Sequence, residues 1–125
     1  MKKLILLIYL LCFGELVAQD SLRGPHGGFV AVAGAFRIEA IGCNEYLEIY
    51  VFDKYMDPLL NFGMSGEVIF YKEDKTSTSE KLVYYSNDGF TAKFPDYFFP
   101  SFKVIVHIKS VPYSAQFRNE CLVRN

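Results

Sequence analysis

Along residues 35–43 (AFRIEAIGC) the side chains alternate, with Phe36, Ile38 and Ala40 on one side and Arg37 and Glu39 on the other. Residues 45–53 (EYLEIYVFD) repeat the pattern, with Leu47, Ile49 and Val51 apolar and Glu48 and Tyr50 on the opposite face. A period of two is that of a β-strand with one face buried. The same reading predicts strands over 28–33, 65–72, 81–85, 90–94, 101–111 and 115–122, and a short edge piece at 58–61. In the strand beginning at 101, Val104, Val106 and Ile108 face inward, which leaves His107 outside with Lys103, Ile105 and Lys109. The run EDKTSTSE at 73–80 has no apolar residue and is predicted to be an exposed hairpin loop. Asn87-Asp88-Gly89 is a hairpin turn signal, because these residues accept positive φ at low cost. Residues 95–100 (PDYFFP) form a proline-bounded aromatic loop.

No helical period occurs. Seven to nine short antiparallel strands, at the spacing of about 8–12 residues usual for sandwiches, predict an all-β fold. Two face-to-face sheets are expected, since each strand has an apolar face to bury. A partly closed β-barrel is the alternative, which periodicity does not distinguish.

The chain opens with Lys2 and Lys3, a short apolar run over 4–13 and a small residue at Ala18. That is the pattern of a signal peptide over 1–18, and the run is shorter than the roughly 20 apolar residues of a membrane span. Residues 19–125 are then one exported domain, periplasmic or secreted. Cys12 falls within the leader; the alternative is a lipidated cysteine, against which Leu11 stands where a small residue is expected. The net charge of −1 and the lack of a basic stripe argue against a nucleic-acid partner. Cys43 and Cys121 remain after cleavage. In an oxidising compartment an even pair predicts a disulfide, with soft metal ligation or two free thiols as alternatives.

No G-x-S-x-G elbow, H-E-x-x-H pair, phosphate loop or C-x-x-C occurs, and no nucleophile–base–orienter set can be assembled. The sequence therefore predicts a binding protein and not an enzyme. Asp53 and Asp57 flank a tight turn and are expected to cap it rather than to chelate calcium. Met56 and Met64 lie near the ends of strands. Their thioethers with the imidazole of His26 could make a shallow copper site, or the methionines could fill gaps in packing. An amino-terminal Cu(II) site at Gly24-Pro25-His26 is excluded because Pro25 has no N–H. Tyr97, Phe98 and Phe99 are either a partner-binding patch or a cap on the open end of the sandwich.

His26-Gly27-Gly28 before a strand, Phe36 and Glu39 in the next, Leu47, Tyr50 and Asp53 in the third, and Ser65-Gly66 before a fourth form a pattern. It resembles a group of small exported bacterial β-rich proteins often associated with heavy-metal or copper efflux, over roughly residues 25–70. The resemblance implies a metal-handling or efflux-accessory protein, with His26 and Glu39 as candidate polar residues and an efflux component as partner. Copper or zinc is the expected ion. With Met56 and Met64 these residues are the predicted metal set. A metal centre requires His26 to sit beside at least two of Glu39, Met56, Met64 and His107. The competing expectation is a cell-envelope interaction module using the loop at 95–102 or a sheet edge.

Overall fold

The computed structural model describes residues 23–122. The predicted signal peptide and Cys12 lie outside this range. Nine strands are described: β1 Phe29–Ala33, β2 Phe36–Cys43, β3 Tyr46–Asp53, β4 Ser65–Tyr71, β5 Ser77–Lys81, β6 Val83–Tyr85, β7 Gly89–Lys93, β8 Ser101–Ile108 and β9 Val111–Arg118. They form two antiparallel sheets, one ordered β1-β2-β3-β7-β6 and the other β5-β4-β8-β9. The fold is a β-sandwich, and the barrel alternative falls because the sheets remain separate. Among the described residues no helix is long and apolar enough to cross a membrane.

The core is what the alternation demanded. Ile38, Ala40, Leu47, Ile49, Val51, Phe90 and Ala92 of the first sheet meet Val68, Phe70, Phe102, Val104, Val106, Ala115 and Phe117 of the second. Strands β3 and β8 supply three residues each, of which Leu47, Ile49, Phe102, Val104 and Val106 are fully buried, while Phe36 and Ile108 at the ends of their strands are half-buried. His107 lies outside on β8 opposite Ser65, as its parity predicted.

Three assignments change. The polar run at 73–80 is not all loop, since residues 77–81 pair with β4 as the wholly exposed edge strand β5. An edge strand facing water on both sides has no apolar pattern to betray it, and its charges discourage edge-to-edge pairing. The piece at 58–61 shrinks to a single bridge between Phe52 and Pro58. The last strand starts at Val111 rather than at 115, because Lys109 and Ser110 both take positive φ and turn the chain back. In the β6–β7 turn the positive φ falls on Ser86, one residue before the Asn-Asp-Gly signal.

Leu82 is the corner where the chain leaves the second sheet for the first. Its N–H donates to Gly66 O at 2.9 Å and its side chain is buried. Gly66 is glycine for a steric reason: a Cβ there would collide with the carbonyl of Ile105 and lie 2.9 Å from Leu82 Cδ1.

The aromatic loop caps the sandwich. Phe99 is buried, with its ring 4.8 Å from that of Phe70. Tyr97 donates its hydroxyl to Phe70 O at 3.0 Å and carries Lys72 Nζ 4.6 Å above its ring. Of the three residues nominated for partner binding, Phe98 alone is open to solvent, at 63 %.

Candidate functional site

On the outer face of the first sheet a second, smaller apolar cluster joins Ile41, Tyr50 and Phe52, with Cys43 and Met56 packed against it. The register explains it. Residues 39, 41 and 43 of β2 lie opposite 50, 48 and 46 of β3, all on the side away from the main core. Glu39 sits in this row between Val30 of β1 and Tyr50 of β3. The parity that predicted Glu39 to face out of the core is right, yet its side chain is 0 % exposed.

The cover is the segment 24–28. Glu39 Oε2 accepts the backbone N–H of His26 at 3.0 Å and that of Gly28 at 2.8 Å, while Oε1 lies 2.8 Å from His26 Nδ1. The loop closes on itself through Gly24 N–H to Gly28 O at 2.9 Å and Gly27 N–H to Gly24 O at 3.0 Å. Its glycines are there for close approach. A Cβ on Gly24 would run into the Glu39 carboxylate, and one on Gly28 into the Ile41 side chain and, at 2.6 Å, Ala40 O. Gly27 has open space around it but a φ of +82°, which only glycine adopts freely.

The His26 ring lies flat on Tyr50, with centroids 3.7 Å apart and planes within 9°. Its side chain remains 35 % exposed. An ionised carboxylate can only accept, so the proton of the His26–Glu39 bond belongs on Nδ1. The neutral ring then carries its lone pair on Nε2, on the far side from Glu39. A carboxylate that fixes ring and tautomer in this way is the usual outer support of a metal-binding imidazole. The same pair also closes a loop over a sheet with every donor satisfied, which is a structural function in itself.

Beyond Tyr50 the row continues in polar contacts. Tyr50 donates its hydroxyl to Glu48 Oε1 at 2.6 Å, and burial followed by the Glu48 hydrogen bond pushes its pKa upward, so it stays protonated. Burial, then the hydrogen bond and charge of Glu48, raises the Cys43 thiol to about 11.

Of the predicted metal set, the structure brings together His26 and Glu39. Met56 shares the outer apolar cluster, at positive φ in the 53–57 turn. Met64 does not join them: it is buried in the main core, on the other side of the sheet. His107 belongs to the second sheet. Among the described residues no group of three or more His, Cys, Asp or Glu side chains is placed to hold a metal ion. Asp53 behaves as expected of a turn cap, with Oδ1 accepting the N–H groups of Tyr55 and Asp57 at 2.8 and 3.0 Å.

The predicted disulfide is not formed, for Cys43 carries a free thiol. The reason is parity. Cys43 shares the outer face with Glu39 and Ile41, so it points away from the second sheet, to which the C-terminal strand belongs. The side chain of Cys121 lies outside the described residues. A thiol at about 11 instead of 9.0 holds about 100-fold less thiolate near pH 8. Its higher intrinsic nucleophilicity recovers close to tenfold of that. Exchange of Cys43 with an aromatic disulfide at pH 8, followed by peptide mass, should therefore run about tenfold slower than that of an unhindered cysteine. The rate should climb steadily as the pH rises towards 11.

The signal for this site was present in His26-Gly27-Gly28 and Glu39. What pattern reading missed was Tyr50, assigned to solvent by parity and in fact buried beneath the imidazole. Comparison with known protein families, with curated protein sequences and with solved structures returns no match.

Proposed function

We propose that the chain is an exported, non-enzymatic binding module of the periplasm or cell exterior that presents His26 Nε2 to a copper or zinc ion. The observation that supports this best is the 2.8 Å contact of Nδ1 with a carboxylate that is 0 % exposed. Burying a carboxylate is costly unless it is fully hydrogen-bonded. Here that carboxylate aims one ring nitrogen and frees the other.

With Met64 in the core and His107 on the other sheet, this chain offers one firmly oriented donor rather than a closed cage. An ion bound here is shared, its remaining positions filled by a partner such as an efflux component or by small ligands. An imidazole suits both Cu and Zn, and the thioether of Met56 on the same apolar patch favours Cu(I).

The test is titration with Cu(I), Cu(II) and Zn(II) against competing chelators, for the parent and for His26→Phe. Phenylalanine keeps a ring over Tyr50 and removes the donor. Saturable binding at micromolar or tighter that weakens at least tenfold in His26→Phe is the expected result. Metal binding that is absent, or indifferent to the substitution, removes the reading.

In that event a second reading leads. The edge strand β6 exposes Val83, Tyr84 and Tyr85 at 61, 58 and 49 %. An apolar strand at a sheet edge is a docking surface for another chain. This edge, and not the aromatic loop at 95–102, whose Phe99 and Phe102 are buried in the cap, would then be the interaction surface of an envelope module.

A further inference from the structure

The other edge of the first sheet carries a groove whose chemistry is unlike that of the His26 site. It runs along the outer side of β1 and encloses about 350 Å³. Its floor is Val30, Val32 and Met56, and arginines 23 and 37 also line it. Val32 is 61 % exposed on the outer side of the edge strand β1, so its side chain is open to a ligand.

The two guanidinium groups are held at opposite ends. Arg23 bridges to Phe29 at the start of β1 and its Nη1 donates to Gly27 O at 3.3 Å. Arg37 lies opposite Val32 at the far end, and its Nη1 donates to Phe36 O at 2.9 Å and more weakly to Gly34 O at 3.4 Å. Those bonds engage one nitrogen of each head and leave the others of its five N–H donors. Among the described residues neither arginine forms an ion pair; the pairs found are His26 with Glu39 and Arg118 with Glu120. Phe29 to Val32 spans about 10 Å along the strand.

An apolar trough with a guanidinium at its Arg37 end that makes no ion pair among the described residues complements a short amphiphilic anion. We propose that this groove binds a free alkyl carboxylate of medium chain length. The chain lies on Val30, Val32 and Met56, and the carboxylate is met by Arg37. Arg37 is the better anchor of the two because its head is tied back to the β1–β2 turn at both carbonyls. The inference uses no atom of His26 or Glu39 and shares only Met56 with the metal reading; Arg37→Gln leaves the proposed metal donors untouched and His26→Phe leaves the groove arginines in place, so the two readings fail separately.

Cations beside an edge strand have an alternative use, which is to keep other strands from pairing with it. Ligand chemistry separates the two. Full-length protein is titrated with octanoate, octan-1-ol and acetate while backbone amide and Met methyl resonances are followed by NMR. Saturable shifts confined to β1, Arg37 and Met56 are expected with octanoate. Octan-1-ol should bind at least tenfold more weakly, and acetate should not saturate. Arg37→Gln should weaken octanoate about tenfold, the usual worth of a charge-assisted hydrogen bond, and leave octan-1-ol unchanged. Val32→Asp, which charges the floor at an exposed position, should abolish octanoate binding with the spectrum otherwise intact. Equal binding of acid and alcohol, indifference to Arg37→Gln, or no saturable shift would each overturn the proposal. So would shifts produced by anionic phosphatidylglycerol vesicles and not by octanoate.

Discussion

Phe70→Ala is expected to cost about 3–5 kcal/mol, the range for removing a large buried aromatic side chain. Phe70 is 0 % exposed and stands where the two sheets meet the aromatic loop. Its ring has Phe99 at 4.8 Å, Phe102 at 6.1 Å and Phe94 at 6.4 Å. Its carbonyl also holds the Tyr97 hydroxyl at 3.0 Å. Truncation opens a cavity that the strands cannot close, because β4 is pinned between β5 and β8. A stability loss of this size is a large part of what a domain of this length has. Urea unfolding should show a much lower midpoint with a similar slope. Phe98→Ala, one residue from the buried Phe99 and itself 63 % exposed, should stay within about 0.5 kcal/mol of the parent. If Phe98→Ala proved the costlier change, the loop would not be the cap described above.

The same contrast shows what could be read from the chain. Alternation located β2 and β3 to within a residue and β8 at its start, because each has a dry face and a period of two is then forced; it ran β8 on to 111, past Ile108 where Lys109 and Ser110 turn the chain. It failed at β5, which is exposed on both faces and so has no periodic signal. It also failed at Tyr50 and Glu39. Parity correctly placed both on the side of the sheet away from the main core, and the loop 24–28 then covered that side. Pattern reading sorts a strand into two faces but does not tell whether the second face meets water or another segment. Met64 failed for the related reason that a strand-end methionine can turn either way. The disulfide failed because spacing and compartment say which cysteines are available, whereas their register sets where they point. The glycines at 24, 27 and 28 stand in the sequence ahead of the first strand. That two of them make room for a carboxylate and a neighbouring side chain became visible when the segment was placed in the fold.

Glu39 itself carries the most informative substitutions. Glu39→Ala leaves the N–H groups of His26 and Gly28 and the His26 Nδ1 without their acceptor, and removes a fully buried side chain. Each buried donor left unsatisfied costs about 1–3 kcal/mol, with partial relief where water enters. The expected loss is about 3 kcal/mol, accompanied by rapid hydrogen exchange at Gly28 as the 24–28 loop lifts from the sheet. Glu39→Gln is nearly the same shape and behaves differently. Its amide oxygen can still take both backbone N–H groups at the Oε2 position, so the loop should stay and the cost should be about 1 kcal/mol. Its NH₂ group then faces Nδ1 and can only donate. His26 must answer by carrying its proton on Nε2, the nitrogen proposed to meet the metal. Glu39→Gln should therefore keep the fold and lose metal affinity by about 10–100-fold, the usual effect of removing an outer support of a ligating histidine. Imidazole nitrogen chemical shifts report the tautomer directly. A parent ring protonated on Nε2, or a Glu39→Gln protein that binds copper and zinc as the parent does, would leave Glu39 as an anchor for the loop and nothing more.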